Sequence, residues 1–390
     1  MDRHDDIGLV RRFFALHETR ADELAPAVYR QPAADYTSPE HLERERAVLF
    51  GGTPLLAGLS ADIPEVGDYL ALPGAGPPVV VVRGEDGVAR ALVNTCRHRG
   101  ARVVEGRGQA RRCLVCPYHS WTYDLAGRLT AQPGAGDGFR GLDRADLGLR
   151  SLPVAEGHGL IFVRPPAPPA AGAAGNDGEP VDLDAVLAGL GPELDSYKLA
   201  SYHHVETRSH VQPCNWKFVV DTFLEAYHIF SLHKQSIAPQ YFSTGALFDA
   251  YGPHCRFIGV RRSILDLLGT PEESWSILPH ATIHYVFAPN ALLVHQLDHF
   301  ELWRVFPLGV DRCLVHTGIY AATPPDDERA QRRWRKNLDI LLQVTTEEDF
   351  PQCRRIQADL AAGAADELIF GRNEPALAHF HRSLTAMLAG

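Results

Sequence analysis

The chain has few of the features that would place it in a membrane or on nucleic acid. Its 390 residues contain no apolar run of membrane-spanning length, and the strongest apolar stretch, residues 79–82, has the length of a β-strand. Lys and Arg number 38 against 48 Asp and Glu, which gives a formal net charge of −10. Binding phosphates requires a clustered basic face, and none is present, so we expect no nucleic-acid partner and no membrane association.

Secretion signals are also missing from the sequence. Residues 1–6 are too charged for the start of a secretory signal peptide. Seven Cys is an odd number, and they show no pairing pattern, so we expect a reducing, cytoplasmic environment. With 45% hydrophobic and 22% charged residues, the composition is typical of a globular protein, and the length allows two or three domains.

Two short fragments combine cysteine and histidine. One carries Cys96 and His98, and the other carries Cys116 and His119. Two thiolates and two imidazoles are the ligands of a Rieske [2Fe–2S] cluster, in which one iron keeps two Cys and the other binds two His. A Cys2His2 zinc site is the alternative, because it also joins two loops through such pairs.

The residues around these fragments favour the cluster. Arg97 and Gly100 bring positive charge and backbone N–H donors to the first loop, and such donors tune the potential of a cluster. Cys113 lies three residues before Cys116 and could form a different pair. That pairing would leave Cys96 and both His without a role.

Local patterns in the first part of the chain predict two helices followed by β-structure. Residues near 7–30 have helical composition, and a second helix is predicted to begin at Ser38 and Pro39. Short apolar runs broken by turn residues predict hairpins at 79–93 and 122–129, and a last strand at 159–163.

The second part of the chain begins after a segment rich in Pro, Ala and Gly. Residues 165–180 therefore predict a linker or an exposed loop. The antiparallel strands predicted beyond it lie at 282–287, 292–297, 301–306 and 313–320. A helix capped by Thr323 is predicted from 324 to about 360.

The predicted fold class is α+β. A small all-β Rieske domain would precede a larger α+β catalytic domain, in which helices flank an antiparallel sheet. The predicted domains are an N-terminal helical segment that packs on the catalytic domain (1–45), the Rieske domain (46–164), the linker (165–180) and a non-haem iron catalytic domain (181–390).

A second candidate metal site lies in the catalytic part. Two His and one carboxylate, with open positions left for dioxygen and substrate, bind iron in non-haem Fe(II) oxygenases. His228 and His233 are about 140° apart on an ideal helix, so both can bind one metal only if the helix ends or bulges between them. Glu347, Glu348 and Asp349 offer the third ligand. We choose Asp349, although composition does not separate it from Glu348, and a solvated charge run is the alternative.

Together these motifs resemble the catalytic α subunits of Rieske non-haem iron oxygenases of the aromatic ring-hydroxylating type. The resemblance covers nearly the full length and rests on the cluster fragments and on residues 215–233, 348–357 and 371–382. It implies that His228, His233 and Asp349 bind iron. It also implies that Glu225 bridges the two metal sites, so that His119 of one chain faces Glu225 and His228 of the next.

Three residues depart from the usual pattern of the family. Glu225 stands where Asp is commoner, a variant also seen in members that act on quaternary amines. Thr222 replaces a common Asn, and Ser120 replaces the Gly after the second cluster His. None of these departures removes a metal ligand.

The resemblance implies an oxygenase whose cofactors are a Rieske [2Fe–2S] cluster and mononuclear Fe(II). Its partners would be O2, a small aromatic substrate and a separate NAD(P)H-dependent reductase, with or without ferredoxin. A homotrimer, with or without a small subunit, is expected. The reaction would be cis-dihydroxylation or monohydroxylation in aromatic hydrocarbon catabolism. The alternatives are an N- or O-demethylase, a monooxygenase of a quaternary amine, and a Rieske electron carrier without oxygenase activity.

The substrate pocket is expected between residues 230–275 and the strands at 282–306. Five aromatic residues there either contact an aromatic substrate or fill the core: Phe242, Phe248, Phe257, Tyr285 and Phe287. Three histidines either bind a substrate carboxylate or sit satisfied in the sheet, and we favour the second for all of them: His284, His295 and His299.

Overall fold

The structure is a computed structural model that describes residues 1–72, 76–166 and 178–389. Most of the linker predicted at 165–180 lies outside the described residues. The β-strands in chain order are β1 (Tyr29–Pro32), β2 (Leu55–Leu59), β3 (Asp68–Leu72), β4 (Val79–Arg83), β5 (Ala89–Val93), β6 (Arg107–Gln109), β7 (Cys113–Val115), β8 (Thr122–Asp124), β9 (Leu129–Ala131), β10 (Ser151–Leu152), β11 (Val154–Gly157), β12 (Leu160–Val163), β13 (His203–Gln212), β14 (Leu247–Tyr251), β15 (His254–Val260), β16 (Ala281–Phe287), β17 (Ala291–Gln296), β18 (His299–Gly309), β19 (Arg312–Ala321) and β20 (Glu367–Phe370). The helices are α1 (Arg3–Thr19), α2 (Ala34–Thr37), α3 (Pro39–Val48), α4 (Leu183–Leu187), α5 (Gly191–Ser196), α6 (Trp216–Asp221), α7 (Ile229–Leu232), α8 (Glu328–Val344), α9 (Phe350–Ala361) and α10 (Pro375–Ala389).

The chain divides into two compact units. The smaller unit, here called the cluster unit, comprises Arg46–Val186 and Lys198–Ser201. The larger one, the catalytic unit, comprises Met1–Glu45, Leu187–Tyr197 and Tyr202–Gly390. Antiparallel sheets occur in both units, and the larger one adds long helices, so the predicted α+β class is confirmed.

Three small antiparallel sheets form the cluster unit, with strand orders β10-β5-β4-β3-β6, β11-β12-β2 and β7-β8-β9. Both predicted hairpins are confirmed: β4 pairs with β5, and β8 pairs with β9. One hydrophobic core cluster of this unit contains Cys96 and Cys116 together with Trp121 and Tyr123. The thiols are therefore fixed by the packing of the sheets around them.

A seven-stranded antiparallel sheet dominates the catalytic unit, with the strand order β13-β19-β18-β17-β16-β15-β14. The four predicted strands are confirmed as β16 to β19; three have wider bounds than predicted, and β17 is shifted by one residue. Helix α8 packs on this sheet, since Trp334 and Leu338 share a buried cluster with Ile319 and Ala321 of β19. The rest of the unit is arranged around this sheet and helix.

The first two predicted helices are both present, and the first has different bounds in the structure. The first begins at Arg3 and ends at Thr19, because Arg20 adopts the left-handed conformation that closes the helix. The end of the predicted helix, residues 29–30, instead belongs to β1, which pairs with β20. The second helix does begin at Pro39, as predicted, and the Ser38 hydroxyl accepts the His41 N–H at 3.0 Å.

The long helix predicted from 324 to about 360 is wrong in two respects. Its cap is Asp327 and not Thr323, and the Asp327 carboxylate accepts the Ala330 N–H at 2.6 Å. Pro325 disfavours helical backbone at the residue before it, so the helix cannot begin at 324. The helix is also interrupted, because Thr345–Asp349 forms a π-helical turn between α8 and α9.

None of the helices in the described part of the chain is both long and apolar enough to cross a bilayer. All seven cysteines lie within the described ranges, and all are free thiols. Cys113 is half-buried in β7, whereas Cys96 and Cys116 are buried.

Candidate metal centres and active site

The two cysteine-histidine fragments form two loops with the same hydrogen-bonding pattern. In the first loop, the Gly100 N–H donates to the Cys96 carbonyl at 3.0 Å and the Cys96 N–H to Ala101. In the second loop, the Ser120 N–H donates to the Cys116 carbonyl at the same distance, and the Cys116 N–H donates to the Trp121 carbonyl. The paired loops bring the four predicted cluster residues into one region of the cluster unit.

Gly100 and Ser120 occupy equivalent positions in these loops, and both have positive φ. The values are 76° for Gly100 and 54° for Ser120. Glycine adopts this left-handed conformation without a steric penalty, whereas a residue with a Cβ does not. The departure noted at Ser120 is therefore a backbone position that favours glycine.

The side chains in these loops suit a bound iron–sulfur cluster. The Tyr123 hydroxyl lies 3.2 Å from Cys96 Sγ and accepts the Arg97 N–H at 3.0 Å. Burial raises the pKa of the Cys96 thiol, and neighbouring Cys116 adds to the rise. A metal that binds these sulfurs would displace the protons and stabilise the thiolates.

The two cluster histidines lie side by side. The ring centroids of His98 and His119 are 4.6 Å apart, and His98 stacks on Trp121 at 4.9 Å. Burial lowers the pKa of His98, with His119 and Arg99 acting in the same direction, so the metal-binding neutral form is favoured. Its Nδ1 is buried and has no hydrogen-bond partner within the described residues, as expected of an atom that ligates iron.

In the catalytic unit, the second metal site forms around a very short helix. Helix α7 has four residues, with His228 at its N-terminal cap and His233 at its C-terminal cap. The spacing required the helix to end or bulge between the two His, and α7 ends at Leu232, before His233. Ligand atoms of His228, His233 and Asp349 all lie within 4.8 Å of one another.

A carboxylate holds each imidazole through Nδ1. His228 Nδ1 is bonded to Glu225 Oε1, and the His228 N–H donates to Glu225 Oε2 at 3.0 Å. His233 Nδ1 is bonded to Glu348 Oε2 at 2.5 Å. This leaves both Nε2 atoms directed at Asp349 Oδ1, at 3.5 Å from His228 and 3.0 Å from His233. Such carboxylate–histidine pairs orient metal ligands in many proteins.

The structure separates the three carboxylates that composition left open. Asp349 is 6% exposed and forms, with His228 and His233, what is here called the three-residue cluster. Glu348 orients His233, and Glu347 points to solvent. The π-helical turn at Thr345–Asp349 widens the helix at this point, a feature that is frequent at functional sites. Sequence reasoning missed both this turn and the orienting role of Glu348.

The three side chains suit a mononuclear iron. Asp349 Oδ1 is buried, and the Nε2 atoms of the two His are its polar neighbours. Burial lowers the pKa of His233, but the Asp349 and Glu348 carboxylates outweigh that effect and leave it raised. A divalent cation would neutralise this excess of negative charge and replace the proton on Nε2. Two His and one carboxylate are the ligands expected for non-haem Fe(II).

The fragment Asn215-Trp216-Lys217 supports this site through the start of helix α6. The Asn215 side chain caps α6 by accepting the Lys217 N–H at 3.1 Å. The Lys217 ammonium is 1% exposed and donates to Glu45 at 2.5 Å, and the Trp216 indole donates to the same carboxylate at 2.8 Å. The fragment is therefore structural, and it fixes the helix that leads to Glu225.

Asp221, at the end of α6, connects the site to the C-terminal helix. Its carboxylate accepts the Tyr36 hydroxyl at 2.7 Å and contacts His381 Nε2 at 2.8 Å. Thr222, which departs from the family pattern, donates its hydroxyl to the Val219 carbonyl at 2.9 Å. Its side chain is therefore satisfied by the backbone of α6. Residues 371–382 thus anchor the segment that carries His228 and His233.

A cavity of about 450 Å³ opens beside the three-residue cluster. The face of the large sheet forms one wall, and its side chains lie in two adjacent rows that cross the strands. The first row consists of Gly259, Thr282, Gln296 and His299. The second row is Phe257, His284, Val294 and Glu301.

Expectations for the pocket are met in part. Of the five predicted aromatic residues, Phe257 lines the cavity. His284 and His299 also line it, and each has a protein partner: His284 Nδ1 bonds the Phe223 carbonyl at 2.8 Å, and His299 Nδ1 lies 2.9 Å from Asp298. Sequence reasoning missed the apolar wall formed by α8, which contributes Asn337, Ile340, Leu341 and Val344.

Comparison with known proteins gives the same division of the chain. The family model for the Rieske [2Fe–2S] domain matches residues 54–152, and the model for the ring hydroxylating alpha subunit (catalytic domain) matches residues 199–390. The chain therefore belongs to the Rieske non-haem iron oxygenases. It is an oxidoreductase with a Rieske [2Fe–2S] domain and a catalytic domain that binds mononuclear iron.

Two curated relatives and one solved structure illustrate how similar this chain is to known proteins. The chain is 34% identical over 364 residues to the glycine betaine monooxygenase oxygenase subunit of Chromohalobacter salexigens, covering 81% of this chain and 78% of that protein. The carnitine monooxygenase oxygenase subunit of Acinetobacter baumannii is 29% identical over 52% of each chain, so the match spans about half of that relative. The fold resembles the quaternary ammonium Rieske monooxygenase CntA in complex with an inhibitor, with a TM-score of 0.78, 22% identity, and coverage of 94% of this chain and 97% of that one.

Proposed function

We propose that this protein is the oxygenase component of a monooxygenase that oxidises a quaternary ammonium compound. The names of the glycine betaine and carnitine relatives support this alternative over the aromatic substrate that the sequence first indicated. Glu225 supports it as well, because the resemblance associates Glu at this position with members that act on quaternary amines. The cavity beside the three-residue cluster would bind the substrate.

The observation that carries the proposal is a buried carboxylate in the cavity wall. Glu301 is 3% exposed, and its Oε2 accepts the Trp303 indole N–H at 3.0 Å. It belongs neither to the three-residue cluster nor to the carboxylates that orient it. A quaternary ammonium cannot donate a hydrogen bond, so it is recognised by negative charge and by aromatic faces, and Phe257 provides an aromatic ring in the cavity wall.

An uncharged arene would fit this cavity less well. It would cover the Arg261 guanidinium with hydrocarbon and give it no charged partner, whereas the Glu301 carboxylate already has His299 Nε2 at 3.7 Å. Taking charged groups out of water without compensation is costly. The cavity chemistry therefore favours a charged substrate over aromatic hydrocarbon oxidation.

The residues of both metal sites have defined tasks in this proposal. Cys96, His98, Cys116 and His119 would hold the cluster, and His228, His233 and Asp349 would hold the iron. When bound, these groups supply electron transfer and the activation of dioxygen. Glu225 and Glu348 fix the rings of His228 and His233, so that the Nε2 atoms keep one arrangement while substrates exchange.

We propose a homotrimer in which electrons pass between neighbouring subunits. His119 is exposed, and the adjacent Tyr118 is 57% exposed, so this edge of the cluster unit is accessible to another chain. On the catalytic unit, Tyr227 is 74% exposed beside Glu225 and His228. A separate NAD(P)H-dependent reductase, with or without a ferredoxin, would supply the electrons.

The overall reaction balances with one substrate and one dioxygen. Two electrons and two protons reduce O2, one oxygen atom forms a C–OH bond at a carbon attached to the ammonium nitrogen, and the other leaves as water. The C–N bond of the resulting hydroxymethylammonium then breaks to give a tertiary amine, an aldehyde and a proton. For an N-methyl group the aldehyde is formaldehyde.

A substrate screen tests the proposal. The holoenzyme is reconstituted with a reductase and NADH, and oxygen uptake is compared for glycine betaine, carnitine, choline, benzoate and naphthalene. We expect stimulation by trimethylammonium compounds, with aldehyde or amine product matching the oxygen consumed. Stimulation by the arenes alone, with a hydroxylated product, would overturn the proposal and restore the aromatic interpretation.

A further inference from the structure

One cation in the cavity wall has no charged partner. Arg261 follows β15, and its Nη1 donates to Gln240 Oε1 at 2.9 Å. Its Nη2 donates to Gln296 Oε1 at 2.9 Å and to the Thr282 hydroxyl at 3.1 Å. The guanidinium carbon lies 5.0 Å from the centre of the Tyr241 ring. All of these partners are neutral, and Arg261 forms no ion pair in the described part of the chain.

An arginine within β15 shows the usual arrangement. Arg256 donates to Glu193 at 2.6 Å and to Asp249 at 2.8 Å, so two carboxylates balance its charge. Arg261 is half-buried and lines the cavity instead. Its Nε atom is buried and has no acceptor among the described residues.

These contacts prepare Arg261 to receive an anionic group. Gln240, Gln296 and Thr282 fix the plane of the guanidinium, so little freedom is lost when a ligand binds. A guanidinium pairs well with a carboxylate, because its parallel N–H groups match the two carboxylate oxygens. The unpaired charge favours such a ligand.

The distance across the sheet suits a small molecule that carries both charges. Gln296 stands opposite His299, and Val294 stands opposite Glu301, so Gln296 and Glu301 are diagonal neighbours. Such neighbours are roughly 7–8 Å apart. The Tyr241 side chain is influenced by both Arg261 and Glu301. Burial raises the pKa of Tyr241, Arg261 lowers it and Glu301 raises it further.

We infer that Arg261 binds a carboxylate of the substrate, and that the preferred substrates are zwitterions in which a carboxylate and a quaternary ammonium belong to one molecule. The inference rests on the proposed function and makes it narrower. It assigns Arg261 a specificity role, separate from the metal-binding residues. Simple cations such as choline would lack the group that Arg261 holds.

Ligand binding without turnover tests this assignment. Anaerobic holoenzyme is titrated calorimetrically with glycine betaine and with choline, which shares the trimethylammonium group but has a hydroxyl in place of the carboxylate. We expect glycine betaine to bind at least about tenfold more tightly. Comparable affinities for the two ligands would overturn the inference, even if both were oxidised.

A pair of neighbouring variants locates the effect. Arg261→Gln should weaken glycine betaine by about tenfold or more and leave choline within about twofold. Arg262→Gln removes the same charge from the exposed neighbour, whose guanidinium lies over Phe242, and should change neither affinity. Equal weakening of both ligands by Arg261→Gln would indicate a structural role and overturn the inference. If Arg261→Gln loses its cluster absorption, Arg261→Lys is used, with a smaller loss expected for glycine betaine only.

Benzoate separates failure of the inference from failure of the proposed function. If benzoate binds through Arg261 and no trimethylammonium compound binds or is oxidised, the carboxylate site stands and the quaternary ammonium proposal fails. If trimethylammonium compounds are oxidised with or without a carboxylate, and Arg261→Gln affects none of them, the proposed function stands and the inference fails.

Discussion

The cluster loops and the iron site hold histidine in different ways. His98 and His119 come from two neighbouring loops, and the Nδ1 atom of His98 has no hydrogen-bond partner among the described residues. In the catalytic unit, His228 and His233 are each bonded through Nδ1 to a carboxylate, which directs Nε2 at Asp349. The first site relies on backbone hydrogen bonds to shape its loops, and the second relies on side chains brought together from distant segments.

This difference has a functional consequence. A cluster that only exchanges electrons needs rigid ligands and little change in coordination, so buried thiols in two closed loops suffice. An iron that must accept dioxygen and substrate needs open positions, and its protein ligands must keep their directions while other ligands exchange. Glu225 and Glu348 serve that requirement. If the two sites are separate in this sense, each can be removed without loss of the other.

The largest effect is expected when the iron site is removed alone. Asp349→Ala should lose the mononuclear iron, so that iron per chain falls to about two thirds while the cluster absorption remains. Substrate-dependent oxygen uptake should fall to background. Iron analysis, visible spectra and oxygen uptake measure these effects.

Asp359→Ala on the exposed side of the same helix is the control and should behave like the unaltered protein. Oxygen uptake that persists in Asp349→Ala would remove Asp349 from the site. It would also support the electron-carrier alternative for this chain.

The reciprocal change should remove the cluster and leave the iron. Cys116→Ser replaces a buried thiolate, so the visible and EPR signals of the cluster should disappear and iron per chain should fall to about one third. Cys255→Ser, in a buried strand of the catalytic unit, is the matched control and should keep the spectrum. Loss of all iron from Cys116→Ser would show that the two sites do not load independently.

A smaller effect is expected from the carboxylate that orients His233. Glu348→Gln should weaken iron binding or turnover by about 10- to 100-fold, because the imidazole is no longer held by a charged acceptor. Glu347→Gln alters the adjacent exposed carboxylate and should have no such effect. Iron dissociation in the presence of a chelator gives the ratio. Equal rates for the two variants would assign Glu348 no role in positioning His233.

The cluster loops could be predicted from the sequence more fully than the iron site and its cavity. The cluster fragments are local, and the hairpins around them have clear turn patterns, so both were predicted from the residues. The choice of Asp349 over Glu348 came only from the resemblance, because the π-helical turn that separates them depends on packing. Arg261 gave no signal in the sequence, since its partners are brought together by the register of three strands.

The smallest effect concerns the two equivalent loop positions. Gly100→Ala introduces a Cβ at a φ of 76° and should destabilise the cluster unit by about 1–2 kcal/mol, although no atom lies close enough to clash. Ser120→Ala keeps a Cβ already present at a φ of 54° and should change stability by less than about 0.5 kcal/mol. The temperature at which the cluster absorption is lost measures both changes. Equal temperature shifts for Gly100→Ala and Ser120→Ala would show that adding a Cβ at Gly100 has no cost of its own.

In the proposed mechanism, electrons from the cluster are used at the site formed by His228, His233 and Asp349 to oxidise a quaternary ammonium substrate. A single-turnover experiment tests it without a reductase. Chemically reduced holoenzyme is mixed with O2 and glycine betaine, and cluster absorption and formaldehyde are followed together. We predict that glycine betaine accelerates cluster oxidation and yields formaldehyde in proportion, and that Asp349→Ala does neither. Substrate-accelerated cluster oxidation in Asp349→Ala, or oxidation without product in the unaltered protein, would contradict the account.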